Sequence, residues 1–305
     1  MKQRLDTLLV DLNLCDSRQQ AQRLIQAGAV TVNQHVVDKA GTEVDVLAQI
    51  AVKQRSQYVS RGGEKLAKAL QAFPLEVRDR VCLDGGISTG GFTDCLLQAG
   101  AKLVYGIDVG YGQVAWTLRQ DPRVILRERT NIRHLTPEQL YSSAAPIPDL
   151  GVVDVSFISL TKVLPALRAL LHDPCEVVLL VKPQFEVGRD RIGKKGVVRD
   201  PTDHAAAIVQ VLQAAQSLGW HYKGLTWSPL LGPAGNIEYL LWLDASTILA
   251  PSAILEGLAM AFPAELRSTL YPSELAPLAL EAPDLRHIQQ FTTLAHTTLT
   301  RRTTP

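Results

Sequence analysis

The stretch Asp84-Gly85-Gly86-Ile87-Ser88-Thr89-Gly90-Gly91-Phe92-Thr93 follows directly on the apolar run Val81-Cys82-Leu83. Four glycines, three hydroxyls and one leading acid fall within ten positions. The apolar run has strand length, and residues 92–98 carry a helical pattern that Gly100 would end, so the stretch is a strand-to-helix turn. Glycines there let the backbone approach a ligand closely and adopt positive φ. The stretch is not the G-x-G-x-x-G dinucleotide fingerprint, and it lacks the Gly-Lys-Ser/Thr of a phosphate-gripping loop. Taken alone, it fits either a flexible turn or a ligand cradle.

Outward from this turn, strands and helices alternate. Residues 60–73, 160–171 and 204–218 read as helices, and 103–107, 124–126, 150–157 and 176–181 as strands. Two further β-prone runs, 222–227 and 238–243, leave no room for a helix between them. This is an α/β pattern: a mostly parallel seven-stranded sheet with an antiparallel edge hairpin. The first residues differ. Positions 5–12 have helical spacing, Asp16-Ser17 offers an N-cap to a helix over 18–25, and Gly28 suits the C′ position. Short β-prone pieces at 29–32 and 36–37 are joined through Asn33-Gln34-His35. The expected organisation is a small α+β binding module at 1–57, a domain of enzyme size at 58–248 and an extension at 249–305. Within the extension a helix is expected over 254–262, and the Thr-rich last dozen residues are expected to be loose.

Bulk properties agree with an ordinary globular protein. The chain has 305 residues, 46% hydrophobic and 20% charged, with a net charge of +1. That balance neither requires nor excludes a polyanionic partner, since a basic face can hide in a neutral total. Cys15, Cys82, Cys95 and Cys175 are far apart, which suggests neither a metal site nor a disulfide framework, and no metal is expected. The charged N-terminus and the lack of a long apolar run point to a cytoplasmic protein without a membrane partner.

In a doubly wound sheet, ligands bind beyond the carboxyl ends of the strands. The second strand ends in Asp108, where a nucleotide ribose is held by its hydroxyls. With the glycine turn, this acid points to an adenosine-containing cofactor. Asp84 would repel a pyrophosphate but suits a cation such as the sulfonium of S-adenosylmethionine. Other strand ends are unusually polar: Asp154 and Ser156 after the fourth strand, Lys182 after the fifth, and Glu238 opening the last. A strand-end lysine is equally explained by reaching water. Lys65, near the start of the 60–73 helix, opposes the helix dipole, a local cost that suggests a task.

Together these residues resemble a known family. Y-V-S-R-G-G-x-K-L (58–66), S-T-G-G-F-T-D-C-L-L (88–97), D-V-G-Y-G-Q (108–113), R-T-N-I-R (129–133), D-V-S-F-I-S-L (154–160), V-K-P-Q-F-E (181–186), G-V-V-R-D-P (196–201) and G-N-I-E (235–238) are similar to the TlyA family. Its members are RNA 2′-O-methyltransferases with an FtsJ-like, Rossmann-like catalytic domain. R-L-D-x-L-L and S-R-x-x-A-x-x-L-I-x-x-G, within residues 1–50, resemble the S-four-like RNA-binding domain. The resemblance implies a catalytic tetrad of Lys65, Asp154, Lys182 and Glu238, with ribosomal RNA in its subunits as partner and 2′-O-methylcytidine as product. Lys182 is then the group expected to accept the hydroxyl proton or stabilise the oxyanion, with Asp154 and Glu238 orienting the lysines.

For the cofactor, S-adenosylmethionine, Ser88, Thr89, Gly90, Gly91 and Phe92 are assigned to the amino-acid end, with Asp84 near the ammonium or sulfonium and Gly85 among the binding residues. Asp108 is assigned to the ribose hydroxyls, Val109 to cofactor binding, Asn131 to the adenine, and Asp154 to both cofactor and lysine. Arg4, Arg18, Arg23 and Lys39 are expected to grip RNA, with Arg55, Arg61, Lys194, Lys195 and Arg199 nearer the site. Family members commonly place an isoleucine-glycine pair after the first-motif aspartate. Gly85-Gly86-Ile87 departs from that and is expected to loosen the loop. Two other readings are a non-catalytic RNA-binding or ribosome-assembly protein, and a membrane-acting haemolysin, since family members carry that name.

Overall fold

In the computed structural model, which describes residues 1–52, 57–245 and 285–301, the chain separates into two units, 1–56 and 57–305. In the first unit β1 (Lys2–Arg4) leads into α1 (Leu5–Asp11). Leu5, Leu8 and Leu9 share one face of α1 by their i, i+3, i+4 spacing. They form a core with Ala21 and Ile25 of α2 (Arg18–Gln26). The Ser17 side chain accepts from the Gln20 N–H and so caps α2, and Gly28 takes φ +66° just beyond its end. Val30 of β2 (Val30–Val32) is also buried in this core. A two-residue turn, with Asn33 at φ +50° and Gln34 at +69°, returns the chain into β3 (His35–Val36) in the manner of a type I′ hairpin. Next, β4 (Glu43–Asp45) pairs antiparallel with β1, and β5 (Ile50–Val52) with β2. The sequence reading missed β1, β4 and β5 because strands of three residues are too short to show a period of two.

The second unit opens with α3 (Gly62–Ala72), β6 (Val81–Gly85) and α4 (Gly91–Gln98). It continues through β7 (Leu103–Ile107), the single-turn α5 (Trp116–Arg119), β8 (Val124–Arg127) and the short α6 (Pro137–Leu140). Next come β9 (Leu150–Val153), α7 (Leu164–Leu170), β10 (Glu176–Val181), the short α8 (Pro183–Glu186) and α9 (Pro201–Gln216). The described chain closes with β11 (His221–Trp227), β12 (Tyr239–Asp244) and α10 (Leu285–Arg301).

The seven strands lie in the order β11-β12-β10-β9-β6-β7-β8. Only β12 runs antiparallel to its neighbours, which makes the expected edge hairpin with β11. Period-two alternation serves both faces of the sheet. Val177, Leu179 and Val181 of β10 pack with α7, α9 and α10, while Val178 and Leu180 pack with α3 and α4. From β6 the chain steps one way to β7 and β8, then returns to build β9, β10 and β12 on the other side. The crevice that this reversal opens lies at the carboxyl ends of β6 and β9.

Three expectations are corrected. The strand expected over 150–157 ends at Val153, where pairing to β6 and β10 stops. The helix expected over 160–171 divides into a 3-10 turn, Leu160–Lys162, and α7, because Pro165 lacks an N–H and fits only a first helical turn. Of the stretch expected to be loose, residues 294–301 instead belong to α10, which runs to Arg301 and buries Ile288, Phe291, Thr292, Ala295 and Leu299 at helical spacing. Packing outweighs the poor helix propensity of its threonines. The helix expected over 254–262 lies outside the described residues.

Candidate active site

The opening turn is closely packed. Gly86 has φ +90°, its N–H donates to the Ile107 carbonyl at 2.8 Å, and a Cβ there would meet the Asp154 carbonyl oxygen at 2.5 Å. Gly91 lets the start of α4 lie against Ser60 and Gly63, since a Cβ would come within 2.3 Å of Ser60 Oγ. Both glycines of the Gly85-Gly86 departure are closely packed, since a Cβ on Gly85 would come within 2.9 Å of the Ile132 side chain. A cleft of about 300 Å³ opens beside this turn, lined by Gly86, Ser88, Thr89, Gly91, Phe92 and Asp154, and by Arg61 and Lys65. Gly85 lies at the end of β6, and Gly90, at φ +102°, forms the N-cap of α4.

Asp84 is fully buried behind the turn. Thr93 Oγ1 donates to its Oδ2 at 2.6 Å, and its Oδ1 has no hydrogen-bond partner. Burial pushes its carboxyl up to about 7; the Thr93 hydrogen bonds oppose this and the charge of Asp154 adds to it.

Three polar side chains at strand ends and Lys65 of α3 form two ion pairs. Lys65 Nζ lies 2.5 Å from Glu238 Oε2, both nearly enclosed. Lys182 Nζ lies 2.6 Å from Asp154 Oδ1 and donates to Ser156 Oγ at 2.8 Å. Sheet register brings the pairs together. Val181 sits opposite Tyr239, so Lys182 and Glu238 leave adjacent strands at the same level. On the other side Val153 lies opposite Gly85, and the Asp154 N–H donates to the Gly85 carbonyl at 2.9 Å. Each lysine has its own carboxylate, so the two ammonium groups do not share one counter-charge.

The other predicted positions are less concentrated. Asp108 accepts from the Ser88 and Gly110 N–H groups, each at 2.7 Å, which ties the tip of β7 to the glycine turn. Val109 is exposed. Asn131 caps a 3-10 turn by accepting from the Arg133 N–H at 3.1 Å, and it lines a separate open hollow with Arg127 and His134. Arg61, Lys194, Lys195 and Arg199 are exposed in the second unit, as are Arg4, Arg18, Arg23 and Lys39 in the first. Arg55 lies outside the described residues. Arg4 and Arg18 are not merely solvated, because both pair with the fully buried Asp6, at 2.9 and 3.0 Å.

Two residues of the quoted motifs gain an importance that the sequence did not signal. Phe157 is 92% exposed at φ +66°, with its ring 5.3 Å from that of Phe185. A bulky residue in this conformation is a local strain of the kind that collects at functional sites. Asn236 is buried, and its amide holds the backbone of residues 196 and 198. An exposed aromatic and a turn-type asparagine are both common in loops, so spacing alone could not single them out.

Comparison with known proteins gives the family. Residues 58–245 match the FtsJ-like methyltransferase family and residues 3–50 match the S4 domain. The 16S/23S rRNA (cytidine-2′-O)-methyltransferase TlyA of Mycobacterium tuberculosis is 50% identical over 252 residues, which is 82% of this chain and 92% of the relative. Hemolysin A of Brachyspira hyodysenteriae is 40% identical over 237 residues, 78% of this chain and 98% of that one. Among solved structures, a hemolysin-named protein from Streptococcus thermophilus is similar with a TM-score of 0.68 at 38% identity, covering 99% of this chain and 98% of its own. With an S4 domain followed by a methyltransferase domain that spans more than half its length, the chain belongs to the TlyA family of FtsJ-like methyltransferases.

Proposed function

We propose that the protein transfers a methyl group from S-adenosylmethionine to the ribose 2′-hydroxyl of a cytidine in ribosomal RNA, and so works in the cytoplasm on ribosomal subunits. The observation that carries this reading is the pair of enclosed lysine–carboxylate contacts, Lys65–Glu238 and Lys182–Asp154, at the strand ends beside the glycine turn. The cofactor fits the residues present. Asp84 has a buried oxygen without a partner, suited to a cationic ligand, and Gly86 and Gly91 bring bare backbone to the cleft wall. Ser88, Thr89 and Phe92 would hold its amino-acid end, Asp108 its ribose and Asn131 its adenine side. When bound, S-adenosylmethionine supplies an electrophilic methyl group.

The protein's own part is to place a poor nucleophile. Lys182, fixed by Asp154 and Ser156, presents its ammonium to the 2′-oxygen and offsets the negative charge developing there. Lys65, fixed by Glu238, supports the same hydroxyl from the α3 side. The hydroxyl proton passes to solvent water as the oxygen attacks, so that the oxygen is partly anionic while it takes up the methyl group. Holding oxygen, methyl and sulfur in line supplies much of the remaining acceleration. Arg61, Lys194, Lys195 and Arg199, together with Arg4, Arg18, Arg23 and Lys39, would contact phosphates, which position RNA without reading its sequence. Phe157 offers a face on which an unstacked base can rest.

The test uses the full chain, ribosomal subunits and S-adenosylmethionine labelled in its methyl group. Label should enter 2′-O-methylcytidine with wild type and be lost with Lys182→Ala, by a factor of about a hundred or more. Tight RNA binding without transfer would favour an assembly factor. Vesicle leakage without transfer would favour the activity suggested by the hemolysin names, although no described helix is long and apolar enough to cross a membrane.

A further inference from the structure

Val198 is buried between two side chains to which the proposed reaction assigns no role. Its N–H donates to Asn236 Oδ1 at 3.0 Å, and its carbonyl is 3.0 Å from His204 Nε2. Asn236 also donates through Nδ2 to the Gly196 carbonyl at 2.9 Å. A carbonyl only accepts, so Nε2 of His204 carries the proton. Its Nδ1 then accepts from Tyr239 OH at 2.9 Å. Asn236 and Tyr239 bracket Glu238 in the chain. Asn236, Val198, His204 and Tyr239 thus close a ring of hydrogen bonds through the two sides of Glu238.

One side of this ring is basic and exposed. Lys194, Lys195 and Arg199 surround Val198 in sequence, and Lys195 takes φ +65°. Within the segment, the Gly193 N–H donates to the Val197 carbonyl at 3.0 Å and the Gly196 N–H to the Gly193 carbonyl at 3.1 Å. The segment is therefore a small closed turn whose anchors include Asn236 and His204. The other side of the ring has no slack. The Gly232 N–H donates to the Asn236 carbonyl at 2.8 Å, and a Cβ on Gly232 would come within 2.7 Å of Glu238 Oε1.

We infer that Asn236 and His204 are positioning residues that lock the basic turn 193–199 to Glu238, so that RNA seated on Lys194 and Lys195 is registered at the Glu238–Lys65 pair. The inference rests on the proposed methyl transfer. In consequence the basic turn contributes to kcat as well as to RNA affinity, because moving Val198 shifts Asn236 directly and Tyr239 through His204, the two residues that bracket Glu238.

Asn236→Ala and two replacements of His204 separate the links, with methyl transfer to ribosomal subunits measured well below each variant's unfolding temperature. His204→Gln keeps a donor where Nε2 lies, whereas His204→Asn reaches only the Nδ1 position and loses the Val198 carbonyl. Asn236→Ala and His204→Asn should lower kcat by about tenfold, with cofactor affinity unchanged, and His204→Gln should recover most of that loss. The joint replacement Lys194→Ala/Lys195→Ala should lower kcat in wild type. In the Asn236→Ala background it should raise only KM for the subunits. The inference is overturned if the kcat losses of Asn236→Ala and the lysine pair simply multiply, or if Asn236→Ala lowers only the unfolding temperature. A wild type that transfers no methyl at all would instead overturn the proposed reaction.

Discussion

Asp84 places a carboxyl where water cannot reach it, behind the turn that lines the cleft. Its folded pKa of about 7 lies above the ordinary 3.8, so the folded chain holds a proton that the unfolded chain has released. The stability this provides is complete below 3.8 and is lost as pH rises through about 7. A cationic ligand favours the ionised form. Cofactor binding should therefore expel a proton between about pH 5 and 7 and cease to do so above about pH 8. Calorimetric titration in two buffers of different ionisation enthalpy measures that proton directly, and equal apparent heats at pH 6 would refute the coupling. Asp84→Asn should abolish the release and weaken cofactor binding about 10- to 100-fold. Phe157 gives a second test at this scale. Because its ring is almost wholly exposed, Phe157→Ala should leave the unfolding temperature unchanged. It should lower kcat/KM on ribosomal subunits by about tenfold, the scale of one base–aromatic stack. Phe157→Trp should retain activity, and an unaffected Ala variant would remove the ring from RNA contact.

At the scale of elements, α10 is held over α9 by contacts that include two histidines. His204 Nδ1 lies 3.3 Å from His296 Nε2, and Thr292 donates to the Pro201 carbonyl at 2.8 Å. Burial pushes His204 down to about 4, against the Val198 hydrogen bond and with the charge of His296 adding; Asp200 nearby pulls the other way. Burial likewise depresses His296, and Asp200 again opposes it. Both groups are depressed below the ordinary 6.5, so the stability they carry is present above 6.5 and is lost as pH falls, for His204 through about 4. Hydrogen exchange of residues 285–301, corrected for intrinsic rate, should accelerate between about pH 6 and 4 before the sheet opens; unchanged protection at pH 4 would refute it. The same elements show what a sequence discloses. Lys182 stood out because a cation directly after an apolar strand breaks the local pattern, and the break proved to be the ion pair with Asp154. The partners of Val198 lie 38 residues ahead in Asn236 and 6 in His204, and a pattern read along the chain cannot join them. Threonine-rich α10 misled for the converse reason: its helicity comes from burial against α9, not from propensity.

Across the whole molecule the question is how a chain of net charge +1 holds a polyanion. Local cations suffice, because each phosphate they neutralise releases counterions and steepens the salt dependence of binding by about 0.7 to 0.9 in logarithmic slope. The cations of the first unit fall into two kinds. Arg23 and Lys39 are exposed, and no ion pair involving either occurs among the described residues. Arg4 and Arg18 flank Asp6. Arg4's guanidinium holds that carboxyl well below the usual carboxylate range against the opposing pull of burial, with Gln22 and Arg18 assisting. Replacing Arg23 and Lys39 together by Ala should therefore reduce the salt slope of RNA binding by about 1.5 and leave the unfolding temperature unchanged. Arg4→Ala and Arg18→Ala should each reduce the slope and also lower the unfolding temperature, since the buried Asp6 loses a partner. Binding isotherms on an rRNA fragment at several salt concentrations, beside thermal melts of the same variants, separate the two kinds. If the Arg23/Lys39 variant keeps the full slope, those two cations hold no phosphates, and the electrostatic grip comes from the other cations.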